Sequence, residues 1–262
     1  MNKPIISEIL SVVDEAFNIR TITFSYPCNM IPGQFFMVWI PGIDEIPMSV
    51  SIIEKDIKGI TFRDVGDATH KLFQMKKGDK IGIRGPYGNG FSISGEHVLI
   101  IGGGTGIAMI APMVETCLQN NMKVDVVFGA KSKNELFFIN RIQKTEATIH
   151  IATDDGSEGF HGFASECVKT IIKQKKIDYM YSCGPELMMK ALLQICNYHD
   201  ISYEASLERY MKCAVGICGQ CCIGEGLRVC VEGPVFNKKY LEQIDDFGHF
   251  TRNASGTKIK ID

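Results

Sequence analysis

The sequence predicts a multidomain α+β protein in which an antiparallel β-barrel, an α/β domain with a parallel sheet and a small cysteine-rich domain follow one another. Three observations predict it. Residues 1–94 hold short alternating apolar runs, residues 95–206 alternate apolar strands with helical stretches, and residues 207–262 are rich in cysteine and glycine. At 262 residues the chain is long enough for more than one hydrophobic core.

The first segment has the pattern of a small barrel. Its period-2 runs lie at residues 19–24, 34–39, 48–52 and 80–84, and turn pairs such as Pro32-Gly33, Pro41-Gly42 and Gly85-Pro86 separate them. Many short strands at this spacing predict an antiparallel barrel, because each strand buries one face. A short helix is expected to open near residues 65–69.

The second segment has the pattern of βαβ units. Apolar strands are predicted at residues 98–101, 124–128, 148–152, 179–182 and 202–205. Helices are predicted at residues 107–121, 133–144, 162–173 and 186–198. Strands that alternate with helices in this way build a parallel sheet with helices on its faces.

A glycine-rich turn follows the first of these strands. It consists of Gly102, Gly103, Gly104, Thr105 and Gly106, and a helical pattern begins directly after it. Glycines let the backbone approach a phosphate, and the helix start offers free N–H groups. Ile107 replaces the third glycine of the dinucleotide fingerprint, so a tight structural turn is the alternative. Four glycines in five residues favour the phosphate site.

Two further turns fall on the same rim of the sheet. Cys183, Gly184 and Pro185 end the fourth strand, and residues 153–157 end the third. Ligands of open α/β sheets bind at the carboxyl ends of strands, which favours a nucleotide site there. Gly-Pro is also an ordinary helix start, and the third-strand turn could be a plain solvent turn.

The most specific motif is the spacing Cys213-x4-Cys218-x2-Cys221-x8-Cys230. Plant-type [2Fe–2S] sites have this spacing, with three thiolates on one loop and a fourth further on. A structural zinc site would prefer two separated Cys-x2-Cys pairs, and only Cys218 and Cys221 form one. The motif therefore indicates a protein that transfers electrons.

Composition narrows the classes of function and the compartment. The formal net charge of −2 and the pI near 6.3 lack the excess of basic residues that is expected of a nucleic-acid-binding protein. No apolar run approaches the roughly 18 residues needed to cross a bilayer, and no secretory signal pattern opens the chain. Disulfides would need an oxidising compartment, so we expect a reduced, cytoplasmic protein. The other six cysteines read mainly as buried small hydrophobic residues.

The order of these three segments resembles the ferredoxin–NADP reductase superfamily. Within it, the chain resembles the family of electron-transfer subunits of type B dihydroorotate dehydrogenases. The resemblance covers nearly the whole chain. The strings that carry it are residues 47–49, 85–91, 102–106, 153–157, 183–186, 206–208 and 230–236, and Gly233-Pro234-Val235-Phe236 after Cys230 is the most discriminating.

The resemblance implies FAD in the barrel, NAD in the α/β domain and a [2Fe–2S] cluster that faces a partner. That partner is an FMN-containing catalytic subunit that oxidises dihydroorotate, expected as two copies of each chain in a heterotetramer. No catalytic side chain is expected. Carried over by position, the flavin residues are Pro47, Met48, Ser49, Thr61, Phe62, Arg63, Gly66, Ala68 and Thr69.

One departure from the family pattern concerns the flavin. The flavin motif usually begins with arginine, and Ile46 stands there in this chain. The pyrophosphate then lacks a bidentate cation, and Arg63, Arg84 or the helix start near Ala68 must compensate.

Rival functions keep the cofactors with another partner, as in NADPH–ferredoxin oxidoreductases, sulfide dehydrogenases and hydrogenases. A non-catalytic, zinc-stabilised module is the alternative of another class.

Overall fold

A computed structural model describes residues 3–261, and its N-terminal part is a closed six-stranded antiparallel barrel. The strands follow the order β1-β2-β5-β4-β3-β6 around the barrel. They are β1 (Ile5–Ala16), β2 (Ile19–Ser25), β3 (Phe35–Ile40), β4 (Asp44–Ile53), β5 (Ile57–Arg63) and β6 (Lys80–Tyr87), and helix α1 (Asp67–Gln74) lies between the last two.

Alternation along the strands fills the barrel interior. Ile22 and Phe24 on β2, Phe36 and Val38 on β3, and Ile60 on β5 are all fully buried in one apolar cluster. Positions two apart point to the same face of a strand, so each run places its apolar set inside. The predicted barrel is confirmed.

The second part is a seven-stranded sheet that is parallel except at one edge. Its six parallel strands lie in the order β10-β9-β8-β7-β11-β12, and the antiparallel strand Val235–Asn237 closes the edge beside β12. The parallel strands are β7 (His97–Gly103), β8 (Lys123–Ala130), β9 (Thr148–Thr153), β10 (Phe160–His161), β11 (Tyr179–Cys183) and β12 (Ser202–Ser206).

Helices cover the sheet, and one predicted helix is wrong. The helices are α2 (Gly106–Gln119), α3 (Ile139–Ile142), α4 (Ala164–Gln174) and α5 (Glu186–His199). The single helix predicted over residues 133–144 is instead a 3₁₀ turn at Lys133–Glu135 followed by the four-residue α3. Phe138 has a φ of 61°, and this left-handed conformation separates the two pieces.

The third part packs onto the sheet. Its elements are short: strands β13 (Cys222–Ile223), β14 (Leu227–Arg228), β15 (Val235–Asn237), β16 (Phe250–Arg252) and β17 (Lys258–Lys260), with helix α6 (Lys238–Gln243). Cys221, Cys230 and Phe236 belong to the same buried apolar cluster as Leu99 and Ile101 of β7. The cysteine-rich part therefore shares its core with the α/β sheet. None of the described helices is both long and apolar enough to span a bilayer.

Candidate cofactor-binding site

The four motif cysteines lie in a loop with almost no regular secondary structure. Cys213 is half-buried, Cys218 is exposed, and Cys221 and Cys230 are buried. The backbone N–H groups of Ile217 and Cys218 point at the Cys213 sulfur from 3.4 and 3.5 Å, and that of Cys230 points at the Cys221 sulfur from 3.5 Å. Such N–H groups stabilise a thiolate, the form that binds iron.

The cysteine contacts fall into two pairs. The Cys218 side chain contributes to the lowered pKa of Cys213, and the Cys221 side chain contributes to the raised pKa of Cys230, so each of these two thiols lies close to one other. A two-iron cluster takes two thiolates on each iron, so two pairs fit it. Within residues 3–261, no group of three or more His, Cys, Asp or Glu side chains is arranged to hold one metal ion. The spacing and the two pairs therefore fit the donor set of a [2Fe–2S] cluster.

Electrostatics distinguish the two pairs. Burial opposes ionisation of Cys213, but hydrogen bonds from the loop outweigh it and lower its pKa to about 6. Burial and the contact with Cys221 raise the pKa of Cys230 to about 12. Cys213 is thus ionised more readily than Cys230.

Gly216 gives the loop its bend. Its φ of +77° is left-handed, and an added Cβ would lie 2.9 Å from Val231 Cγ2 and 3.1 Å from a guanidinium nitrogen of Arg228. Arg228 donates to the Gly216 carbonyl at 3.0 Å and forms an ion pair with Glu232. Residues after β13 therefore hold the loop from outside, and only glycine fits at this point.

The two predicted nucleotide turns are in direct contact. A Cβ on Gly106 would lie 2.3 Å from the Cys183 carbonyl oxygen, and a Cβ on Gly184 would lie 2.7 Å from the Gly103 carbonyl oxygen. Gly103 has no room either, because Pro185 lies 2.8 Å from its Cβ position. Close packing of two backbones therefore explains these glycines without any ligand.

Gly104 and Thr105 are the part of the loop that is open to a ligand. Gly104 has a φ of +53°, and nothing lies within 4 Å of its Cβ position. Thr105 is the N-cap of α2 and makes no capping bond with its side chain. Ile107 and Ala108 already donate their N–H groups to the Gly104 and Thr105 carbonyls, so the N–H groups of Thr105 and Gly106 are the candidates to meet an anion here. Packing explains Gly103, Gly106 and Gly184, and the phosphate site stays a prediction for Gly104 and Thr105.

Gly106→Ala tests the packing of the two turns. Because the new methyl group must displace the Cys183 carbonyl, we expect a loss of about 1–3 kcal/mol of stability and about tenfold weaker NADH binding. Urea unfolding and NADH titration measure the two effects. Gly104→Ala is the matched control for stability, since it meets only backbone strain of about 1 kcal/mol. Equal stability losses in the two variants would contradict the packing argument.

The predicted flavin residues line three neighbouring elements of the barrel. Pro47, Met48 and Ser49 lie half-buried on β4, and Gly66, Ala68 and Thr69 lie at the start of α1. The Thr69 hydroxyl accepts the N–H groups of Val65 and Gly66, which fixes that turn.

Thr61 and Phe62 on β5 are engaged inside the barrel. The Thr61 hydroxyl bonds Thr21 and Ser51 at 2.8 Å each, and Phe62 is buried against Phe73. Their side chains therefore have structural partners. Their role at the flavin stays a prediction. Because the side chains are engaged, a direct contact with the flavin would come from their backbone atoms.

The two arginines that were expected to compensate for the missing arginine at position 46 already have acidic partners. Arg84 binds Glu45 with two nitrogens, at 2.7 and 2.5 Å, and this hydrogen bonding raises its pKa. Arg63 bonds Glu135 at 3.1 Å. Neither is a free cation, so the start of α1 is the remaining candidate for the flavin pyrophosphate.

Two acidic side chains near the Cys183 turn belong to strings that carry the family resemblance, but the sequence did not predict their interactions. Glu186 forms a buried, bidentate ion pair with Arg209 and also accepts the Gly248 N–H at 2.7 Å. Glu208 is exposed, yet surrounding protein raises the pKa of its carboxyl, and its charge acts on Cys183.

Comparison with known proteins gives matching domains. The iron–sulfur cluster binding domain of dihydroorotate dehydrogenase B matches residues 208–242, and the oxidoreductase NAD-binding domain matches residues 100–194. Two curated relatives share 42% identity with this chain, and 99% of it is covered in each. Both are named probable dihydroorotate dehydrogenase B (NAD(+)), electron transfer subunit, from Methanocaldococcus jannaschii (99% of that protein covered) and Methanothermobacter thermautotrophicus (98%).

Solved structures support the same fold. An NADH-dependent reduced ferredoxin-NADP oxidoreductase superposes with a TM-score of 0.82 at 26% identity, covering 91% of this chain and 89% of that one. A ferredoxin NADP⁺ reductase from Neisseria gonorrhoeae, solved with FAD and NADP, gives 0.65 at 19% identity over 74% of this chain and 90% of that one. The second likeness concerns the fold alone.

Proposed function

The chain belongs to the family of electron-transfer subunits of NAD-dependent dihydroorotate dehydrogenase B, and from this premise we propose that it carries electrons from dihydroorotate to NAD⁺. The partner is an FMN-containing catalytic subunit that oxidises dihydroorotate to orotate, in a cytoplasmic heterotetramer with two copies of each chain. The route runs from that FMN through the [2Fe–2S] cluster and FAD to NAD⁺. It serves de novo synthesis of UMP.

The contacts of the cysteine-rich part with both other parts carry this proposal. Asn89, in the loop after β6, donates its backbone N–H to the Gly233 carbonyl at 2.6 Å and its side-chain amide to the Glu232 carbonyl at 2.9 Å. On the other side, Arg209 binds Glu186 at the start of α5. The cluster segment thus contacts the barrel and the nucleotide turn together, as a relay between them requires.

The chain's own residues have distinct tasks in this relay. Cys213, Cys218, Cys221 and Cys230 hold the cluster, the start of α1 holds the flavin pyrophosphate, and the Gly104 turn with α2 holds the NAD pyrophosphate. When bound, the flavin takes up electrons singly and passes a pair on as hydride. Glu208 can hold a proton at a higher pH than an ordinary glutamate, because surrounding protein disfavours its charge.

An anoxic affinity purification from the source cells tests the proposal. We expect an FMN protein to co-purify and the complex to reduce NAD⁺ when dihydroorotate is added. A preparation with flavin and cluster but without this activity would contradict the dihydroorotate role. A colourless, zinc-containing preparation would instead support the non-catalytic module.

The principal rival keeps the cofactors and changes the partner. The likeness to the NADH-dependent reduced ferredoxin-NADP oxidoreductase favours it, although at 26% identity against 42% for the curated relatives. Sulfide dehydrogenases and hydrogenases with related subunits form the same class of rival. In these cases a larger iron–sulfur flavoprotein would co-purify, and dihydroorotate would reduce nothing.

Apolar side chains around the exposed cysteine mark the expected contact with the partner. Ile217 is 85% exposed and Val215 is 45% exposed, and both lie beside Cys218. Exposed apolar residues grouped at a redox centre suit a docking surface.

Ile217→Asp tests this docking surface. We expect it to lower dihydroorotate-dependent NAD⁺ reduction at least about tenfold, because a carboxylate would be buried at the interface. NADH-driven reduction of a dye by the flavin should persist. Phe17→Asp, in the exposed turn between β1 and β2, is the matched control. Equal activities in the two variants would place the partner elsewhere.

A further inference from the structure

The segment between β8 and β9 reaches across to the barrel. It covers residues 133–142, which form a 3₁₀ turn followed by α3, and we name it the bridging segment. Glu135 accepts a hydrogen bond from Arg63 of β5 at 3.1 Å. Arg141 donates to the Ser51 carbonyl of β4 at 2.7 Å. The bridging segment thus contacts both barrel strands that are predicted to carry flavin-binding residues.

Arg141 also binds the helix that begins at the predicted NAD turn. Its Nε and one terminal nitrogen donate to the two carboxylate oxygens of Glu115 on α2, at 2.7 and 2.8 Å. Helix α2 begins directly after Thr105 and packs against β4. One guanidinium therefore joins the helix of the predicted NAD site to a strand of the predicted flavin site.

A left-handed phenylalanine brings Arg141 to this position. Phe138, with its φ of 61°, separates the 3₁₀ turn from α3, and the guanidinium carbon of Arg141 lies 5.0 Å from the centre of its ring. Phe137 and Phe138 belong to the same buried apolar cluster as Val114 and Cys117 of α2. The bridging segment is therefore anchored in the core of the α/β domain and holds its arginine toward the barrel.

Hydride transfer makes the relative position of the two domains important. Domains of one chain commonly move relative to each other unless specific contacts fix them. A displacement of about 1 Å between reacting groups can cost roughly 10²-fold in rate. An arginine whose rigid, planar fork engages a carboxylate and a backbone carbonyl together is well suited to prevent such a displacement.

We propose that Arg141 is a positioning residue for hydride transfer, because it fixes the flavin-binding strands relative to the NAD-binding sheet. In the NADH-driven direction, a hydride passes with its electron pair from NADH to the flavin. NADH is thereby oxidised to NAD⁺, and the flavin gains two electrons and one proton. Arg141 acts through Ser51 and Glu115 and takes no part in these bond changes. The inference rests on the proposed flavin and NAD sites.

Anaerobic stopped-flow mixing of the flavin-loaded full chain with NADH tests this role. We expect Arg141→Gln to slow flavin reduction at saturating NADH roughly 10- to 100-fold, while the NADH concentration that gives half the maximal rate stays the same. The long-wavelength charge-transfer absorption of the NADH–flavin pair, a readout of their stacking, should weaken in parallel. Lys144→Gln removes an exposed charge just after α3 and is the matched control, expected to change neither quantity.

The outcomes separate this inference from the proposed function. An unmodified chain that holds no flavin or does not oxidise NADH would contradict the proposed sites themselves. If the unmodified chain is active, an unchanged reduction rate in Arg141→Gln overturns only the positioning role, even where the midpoint of urea unfolding falls.

A second variant decides if Arg141→Gln fails to fold or loses its flavin. Arg141→Lys keeps the positive charge but cannot reach Glu115 and Ser51 with one rigid fork. Slower reduction with flavin bound and a weakened charge-transfer absorption would support the positioning role. The rate of the unmodified chain, or a second loss of flavin, would overturn it.

Discussion

Cys218→Ser is expected to abolish dihydroorotate-dependent reduction of NAD⁺ in the complex, while NADH-driven reduction of a dye by the flavin persists. The reason is the arrangement of the four cysteines in two pairs. Without Cys218, three of the four thiolates that would hold the cluster remain, and the pair that includes Cys213 would be broken. The flavin and NAD residues lie on other elements, so the hydride step between NADH and flavin remains.

The measurement is a pair of assays on the same preparation, with iron and flavin contents determined. We expect the coupled activity to fall by at least about 10³-fold, because removing a required relay leaves only slow leakage. Cys222→Ser is the matched control, since its sulfur faces the Gly226 carbonyl at 3.9 Å and contacts no motif cysteine by hydrogen bond. Full coupled activity in Cys218→Ser would rule out the relay.

The local pattern of apolar residues predicted most of the fold, because strands and helices are specified mainly by residues close together in the sequence. The period-2 runs gave the barrel, and the alternation of strands and helices gave the parallel sheet. Strand β15 could not be predicted, because three residues acquire their strand conformation by pairing with β12, about thirty residues away. The C-terminal hairpin was missed for the same reason, since its strands have three residues each.

The candidate site shows the same division between local and distant information. The cysteine spacing is local and indicates the cluster. The sequence predicted the glycine loop but not the reason for Gly106. The Cys183 turn excludes a side chain there, and that turn lies some 75 residues further along the chain. The ion pair of Arg209 and Glu186 joins two segments that lie 23 residues apart, and no local pattern predicts that pairing. Only the folded chain reveals such partners.

A buried charge cluster lies at the opposite, amino-terminal edge of the sheet. Asp125 on β8 is fully buried and accepts hydrogen bonds from His150 at 2.6 Å, from His97 at 2.7 Å and from Lys175 at 2.5 Å. Burial alone would raise the pKa of Asp125, but these three donors hold it well below its usual range. Its charge therefore joins β7, β8, β9 and the end of α4.

Asp125→Asn is expected to destabilise the protein by about 3 kcal/mol, because it leaves three donors facing a neutral amide. The expected loss is no larger, because Lys175 and His150 are partly exposed and water screens their interaction with Asp125. The midpoint of urea unfolding, followed by circular dichroism, measures the loss. Asp14→Asn removes an exposed carboxylate that pairs with Arg20 and is the control. Equal midpoints in the two variants would contradict a structural role for the cluster.

The same cluster predicts a dependence of stability on pH. Because the pKa of Asp125 is lower in the folded than in the unfolded chain, its contribution is complete above the unfolded value of about 3.9 and is lost as the pH falls below it. We expect the difference in stability between the unmodified chain and Asp125→Asn to shrink steadily as the pH falls below about 4. A difference that grows with acidity would mean that Asp125 is protonated in the folded protein at neutral pH.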